Sequence, residues 1–271
     1  MSRLPKPAQT QLSTRRTFLV EAAAATLFAA GCGADTYEER LKNTRLYFEY
    51  LEQVNLALVP KAAQLEGVEI RVPKGFELLA FPPVPKDDQP VEPIEPANDP
   101  VRLGYYQNIP LEGVLGTWRA QVRVDGGAEG ATAPAYLHLL CNWQRWLDKP
   151  LNNDIEPTAF QADAINQLAN VYRIADPPDA WDWELMKGFS PFVPKKKVDR
   201  IQIQPEIQPP IDVFIHRLEA KDIQVVLVLI IPQAVDSREK VETKFKHTLE
   251  TMKIASQPPQ RKGNKAASGG F

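Results

Sequence analysis

Three histidines, His138, His216 and His247, are the side chains of this sequence best suited to moving protons near neutral pH. No two stand at metal-ligand spacing, and there is no His-Glu-x-x-His phrase. His138 and His216 fall in strand-like segments, so each is either a structural histidine or one of a pair meeting across a sheet. With Asp212 they form the one candidate acid–base set for a hydrolase, and such a set requires hydrogen-bond reach. His247 is expected on the polar side of a helix. A Gly-x-Ser-x-Gly elbow is absent; Gly188-Phe189-Ser190-Pro191 is the nearest serine phrase. No phosphate-cradling glycine loop and no Cys-x-x-Cys occur. Acid pairs such as Asp87-Asp88 and Asp182/Glu184 lie in loop-like stretches, without the facing geometry a glycosidase needs. No catalytic residue, metal site or cofactor is therefore assigned, and the chain is expected not to be an enzyme.

The aromatic residues suggest binding instead. Trp181 and Trp183 flank Asp182 in a Pro-rich stretch. Exposed there, they could stack on sugars or anchor an interface; buried, they would pin a loop to the core. Trp143 and Trp146, three residues apart around Arg145, admit the same two uses. Lys195-Lys196-Lys197 is a basic run that either contacts anionic lipid headgroups or is simply solvated.

The elements that must position these residues follow from periodicity. Thr36-Tyr37-Glu38-Glu39 has the form of a capping box, with Leu41, Phe48, Leu51, Val54 and Leu58 at helical spacing and Pro60 as a stop. Residues 68–72 and 76–79 read as strands about a Pro73-Lys74-Gly75 turn. Residues 118–124 alternate in polarity, and 136–141 supply the returning strand of a long-looped hairpin. A helix is expected over 158–172, then strands over 200–204, 212–218 and 223–231. The last of these is almost wholly aliphatic, so it should be central and covered on both faces. Asp236 or Ser237 should cap a final helix with Val241, Phe245, Leu249 and Met252 on its buried stripe. The expected fold class is α+β, an antiparallel sheet with helices packed on it.

Fifteen of the twenty-five prolines cluster in 82–110 and 176–210, which marks 82–110 and 176–197 as irregular insertions. The domain scheme is a leader over 1–31, a helix within 32–66, a single α+β domain over 67–255 and a disordered tail over 256–271. The whole chain carries −2; the leader's four basic residues against Glu21 make it net +3, leaving −5 on the rest. That acidic balance does not favour nucleic acid.

The leader carries its own phrases. Arg15-Arg16 followed by Phe18-Leu19 resembles the twin-arginine export signal, with Glu21 as a departure. The apolar run from Ala22 to Gly31 is shorter than the roughly 20 residues a membrane span requires. Leu27-Phe28-Ala29-Ala30-Gly31-Cys32 resembles the lipobox of bacterial lipoproteins, although Ala29 stands where that family prefers a larger residue. The resemblance implies cleavage before Cys32, acylation of Cys32 and a lipid-tethered envelope protein. An ordinary cleavage site, or a Cys32–Cys141 bridge, is the competing possibility.

A second resemblance concerns the fold. Val68-Glu69-Ile70-Arg71-Val72-Pro73-Lys74-Gly75-Phe76 is similar to the opening phrase of PsbP-like domains. The hairpin over 212–231 and the helix ending Leu249-Glu250-Thr251-Met252-Lys253 are similar to their C-terminal end. These phrases cover about a third of the chain beyond the leader. They imply an α/β/α sandwich and a binding or assembly module, and carry over no catalytic residue. The functional expectation is an exported, lipid-anchored envelope protein with a protein partner. A carbohydrate-binding protein using Trp181 and Trp183, or a hydrolase, are the alternatives.

Overall fold

The computed structural model describes residues 14–81, 95–126, 130–174 and 176–260, with side chains described from residue 36 onward and not at 107 and 108. The chain divides into two compact units, one up to Gln53 and one from Val54. Helix α1 (Thr14–Ala57) supplies the first. Thr36 therefore lies inside a helix that begins well upstream, and it is not a cap. Within this unit Arg45 Nε lies 2.9 Å from Glu49 Oε1 one turn on, and Tyr37, Leu41 and Phe48 are exposed.

The second unit begins with β1 (Ala63–Leu65), β2 (Val68–Ile70) and β3 (Glu77–Leu78). Then come β4 (Arg102–Leu103), β5 (Tyr106–Pro110), β6 (Val114–Arg123) and β7 (Thr132–Cys141). Helices α2 (Trp143–Asp148) and α3 (Phe160–Tyr172) follow. The rest is β8 (Glu184–Leu185), β9 (Val198–Ile203), β10 (Ile211–Ala220), β11 (Ile223–Pro232), α4 (Arg238–Thr251) and β12 (Lys253–Ile254).

Seven strands form one sheet in the order β3-β6-β7-β11-β10-β9-β8, with every pairing antiparallel. The fold class is α+β, as the periodicity predicts. β11 is the middle strand and is buried along its whole length. Alternation along it serves two cores, because successive side chains leave opposite faces of a strand. Val225, Leu227, Leu229 and Ile231 pack with Phe245 and Leu249 of α4 and with Val68 and Ile70 of β2. Val226, Val228 and Ile230 pack with Phe160, Ile165 and Leu168 of α3 and with Leu103. Helices thus cover both faces.

Several elements escape periodicity. β2 and β3 do not pair; β2 joins a separate sheet of order β1-β2-β12, and β3 edges the large sheet. The stretch 102–110, expected as an irregular insertion, forms the β4–β5 pair and lays Leu103 into the α3-side core. Residues 176–197 contain a short 3-10 turn over Pro178–Ala180 and β8. Ser237 precedes α4 but does not cap it. Its backbone is left-handed (φ 58°) and its side chain makes no cap bond; Oγ instead donates to Asp236 Oδ1 at 3.0 Å. Of the tail expected to be disordered over 256–271, residues 256–260 are described, without helix or strand, and the rest lie outside the described residues.

Candidate functional site

His138, on β7, is wholly buried on the α3 side. The Gly104 N–H donates to its Nε2 at 3.3 Å, so Nε2 is an acceptor. Nδ1 then carries the proton and donates to Thr117 Oγ1 at 2.9 Å. The Thr117 hydroxyl passes its own proton to Pro100 O at 2.6 Å. The network is closed, and it requires the neutral ring. Burial pushes the pKa down to about 3. Position 104 must be glycine, because a Cβ there would overlap the Tyr136 ring.

His216, on β10, is equally buried but belongs to the α4 side. Its ring lies 4.8 Å from Phe245, and its Nδ1 has no hydrogen-bond partner. Burial, and secondarily the Arg200 charge, push its pKa down to about 3. The two histidines thus occupy different cores. Asp212 shares a face with His216 but stands four residues along an extended strand, about 13 Å away. The sheet does not assemble the proposed acid–base set.

Asp212 is instead the end of an ionic chain. It is fully buried; its Oδ1 accepts from Gln202 Nε2 at 3.0 Å and Gln204 Nε2 at 2.8 Å. Arg238 of α4 donates to its Oδ2 at 2.7 Å. The Arg238 Nε reaches Glu242 Oε1 at 2.9 Å, and Glu242 Oε2 lies 3.3 Å from Arg200 on β9. Both guanidinium groups lie over the Phe214 ring, at 4.7 Å for Arg200 and 5.3 Å for Arg238. This chain pins the start of α4 to the sheet. The i,i+4 spacing of Arg238 and Glu242 is its one mark in the sequence.

The lysine run resolves into three roles. Lys196 Nζ donates to the carbonyls of Leu249, Glu250 and Met252, satisfying orphan acceptors at the end of α4. Burial lowers its pKa to about 8. Lys197 sits 3.6 Å from Asp199. Lys195 and Lys197 are both exposed, the solvated placement that is one of the two expectations for the run. The last helix holds a further buried charge: Glu250 accepts from the Ser190 N–H at 2.9 Å and pairs with His247 at 2.8 Å. His247 is therefore not on a purely polar face.

Trp181 is 9% exposed and part of the α3-side core. Its Nε1 donates to Asp176 O, and Trp183 Nε1 donates to Pro178 O. The two rings stack at 6.2 Å, and Arg217 Cζ lies 4.2 Å over the Trp183 ring. Beside Trp183 is a pocket of about 290 Å³ that includes Gln161, Asn166, Asp179 and Arg217. Trp143 and Trp146 pack on the other core, and Trp146 Nε1 donates to Asp222 O.

Asn142, which sequence reading passed over, is completely buried. Its Nδ2 donates to Pro157 O at 3.0 Å and Asp222 O at 2.9 Å, and its Oδ1 accepts from Gln224 N–H at 3.0 Å. Beside it Cys141 is a buried free thiol, and burial pushes its pKa up to about 11. The side chains of Arg15, Arg16, Phe18, Leu19 and Cys32 lie outside the described residues. Among the described residues no helix is long and apolar enough to cross a membrane. No family model matches the chain, and no curated protein matches it.

Proposed function

We propose that this chain is an exported protein of the bacterial cell envelope, tethered to the membrane by lipid on Cys32, whose α+β unit serves as a binding or assembly module without catalytic activity. Arg15, Arg16, Phe18, Leu19 and Cys32 carry the export half of that reading. The resemblance to PsbP-like domains carries the choice of a module with a protein partner. The single observation that carries the non-catalytic half is the placement of His138, Asp212 and His216. Two point into different cores, and the third is held by three side chains. Intact-mass analysis of the protein from the source membrane fraction tests the tether. The expected species begins at Cys32 and carries acyl mass; a retained leader or a cytosolic location would sink the reading. In-cell crosslinking tests the assembly role, and crosslinks confined to this chain would remove it.

A second reading, carbohydrate binding, is favoured by the pocket at Trp183 with its amide and carboxyl neighbours. A sugar would have to displace Arg217 from the ring to stack there. Titrating envelope glycans against tryptophan emission separates the two readings, since a saturable shift that is lost in Trp183→Ala supports the second alone.

A further inference from the structure

Among the described residues, six of the ten exposed large hydrophobic side chains lie on α1. Apolar exposure concentrated in that way marks an interaction surface. Tyr37, Leu41 and Phe48 are 66%, 58% and 61% exposed. With Thr44 they stand at successive steps of four, three and four residues, the spacing of the seam between two supercoiled helices. The Thr44 hydroxyl donates to Arg40 O at 2.8 Å, so it can be covered without leaving its donor unmet. From Val54 the chain belongs to the second unit, and Val54 and Ala57 are buried. The seam is therefore the stretch 37–48.

Charge decides what covers it. Residues 36–53 carry Glu38, Glu39, Glu49 and Glu52 against Arg40, Lys42 and Arg45. A helix that lies on a bilayer has a polar face rich in Lys and Arg, and this balance is acidic. Helical spacing puts Glu38 and Arg45 along one flank of the seam, and Arg40 and Tyr47 along the other. We propose that the seam is covered by the same seam of a second copy of this chain, running antiparallel, with Tyr37 on Phe48 and Leu41 on Thr44 of the other helix. The two-fold symmetry then sets Glu38 against Arg45 twice and lays Arg40 on the Tyr47 ring twice. Arg45, 81% exposed, keeps its bond to Glu49 and has donors left for Glu38 of the other copy. Other arrangements fail on charge. A parallel pair faces Arg40 with Arg45, and an antiparallel pair slid to bring Leu41 onto Leu51 faces Glu38 with Glu52 and Arg45 with itself. At roughly 150–250 Å² for a whole aromatic side chain, the exposed apolar area of two seams falls below the about 1,200 Å² of standard interfaces. The pairing is therefore weak and reversible. It rests on residues 37–48 alone, so it stands apart from the tether and from the module reading.

Sedimentation velocity of the purified full chain in a mild nonionic detergent tests it. Over about 1–500 μM a reversible monomer–dimer equilibrium is expected, with its midpoint above about 10 μM, as an interface of this size allows. Leu41→Glu should stay monomeric throughout. Leu185→Glu, at an equally exposed leucine of β8, should leave the equilibrium unchanged. Glu38→Arg should weaken the dimer about fivefold or more, and Glu38→Arg with Arg45→Glu should restore it to within about threefold. A chain that is monomeric throughout overturns the proposal, as does a dimer indifferent to Leu41→Glu. A dimer indifferent to Glu38→Arg, or tightened by Arg45→Glu, would be parallel, and the geometry proposed would be wrong. If phosphatidylcholine vesicles protect Tyr37 and Phe48 from hydroxyl-radical oxidation while the chain stays monomeric, a bilayer is the occupant and the proposal fails. If Leu41→Glu lowers the urea midpoint of a monomeric chain, the chain's own fold covers the seam and the proposal fails likewise.

Discussion

His138 stands opposite Val228 and His216 opposite Leu227, consecutive residues of β11, so the two imidazoles are one rung apart and on opposite faces of the sheet. Both are held near pKa 3 by burial, against about 6.5 in an unfolded chain. Between those limits the unfolded chain takes up protons that the folded one refuses. Stability therefore falls as pH falls from 6.5 towards 3, by on the order of 4 kcal/mol for each ring over the full span. Replacing His216 with Phe should flatten the acid limb of stability against pH, read from urea unfolding between pH 6.5 and 4. An unchanged slope would show that His216 does not contribute to it.

The Asp212–Arg238 pair is asymmetric, and its mutants should be too. Asp212 is completely buried while the Arg238 side chain is one-third exposed. Arg238→Met leaves a buried carboxylate with two amide donors, and removing one partner of a buried pair costs about 3–5 kcal/mol. Asp212→Asn keeps polar contacts and leaves a cation that water can reach, so it should cost less, about 1–3 kcal/mol. Denaturant midpoints check the order, and equal losses would refute it.

Lys196→Met should cost about 1–3 kcal/mol by orphaning carbonyls at the end of α4. The lysine titrates near pH 8 in the folded chain and near 10.4 in an unfolded one. From pH 8 to 10.4 the unfolded chain holds the extra proton, so the wild type gains stability over the variant as pH rises. A gap in urea midpoints that narrows instead would mean that the carbonyls hold the ammonium more firmly than burial expels its charge.

Cys141 is 1% exposed, with a thiol pushed up to about pKa 11. Iodoacetamide at pH 8 should leave it unmodified in the native protein and alkylate it in urea, because the thiolate is the nucleophile. Alkylation of native Cys141 at a free-thiol rate would contradict the burial described above.

The elements legible in the sequence are those whose pattern repeats. The β10–β11 hairpin, α3 and α4 each run long enough for period 2 or 3.6 to stand out. β12 and β4 are two residues long, and β1 is three. No periodicity exists at that length, and their pairing is set by partners far along the chain. The same non-locality hid the candidate site. Whether His138 and His216 meet depends on strand register across β7, β11 and β10, not on their own neighbours. Lys196 looked like one charge among three, because a helix end that comes fifty residues later gives it its role. Arg200 is prominent only once α4 lies beside it.

The pairing of β12 with β2 joins Lys253 to Glu69 and Ile254 to Val68. Ile254 is synthesised some 190 residues after Val68, a delay of roughly 10–40 s at ordinary translation rates of 5–20 residues per second. The small sheet therefore cannot be finished while the ribosome still holds the C-terminal segment, and a nascent chain cut short before that point would leave β2 with one edge open.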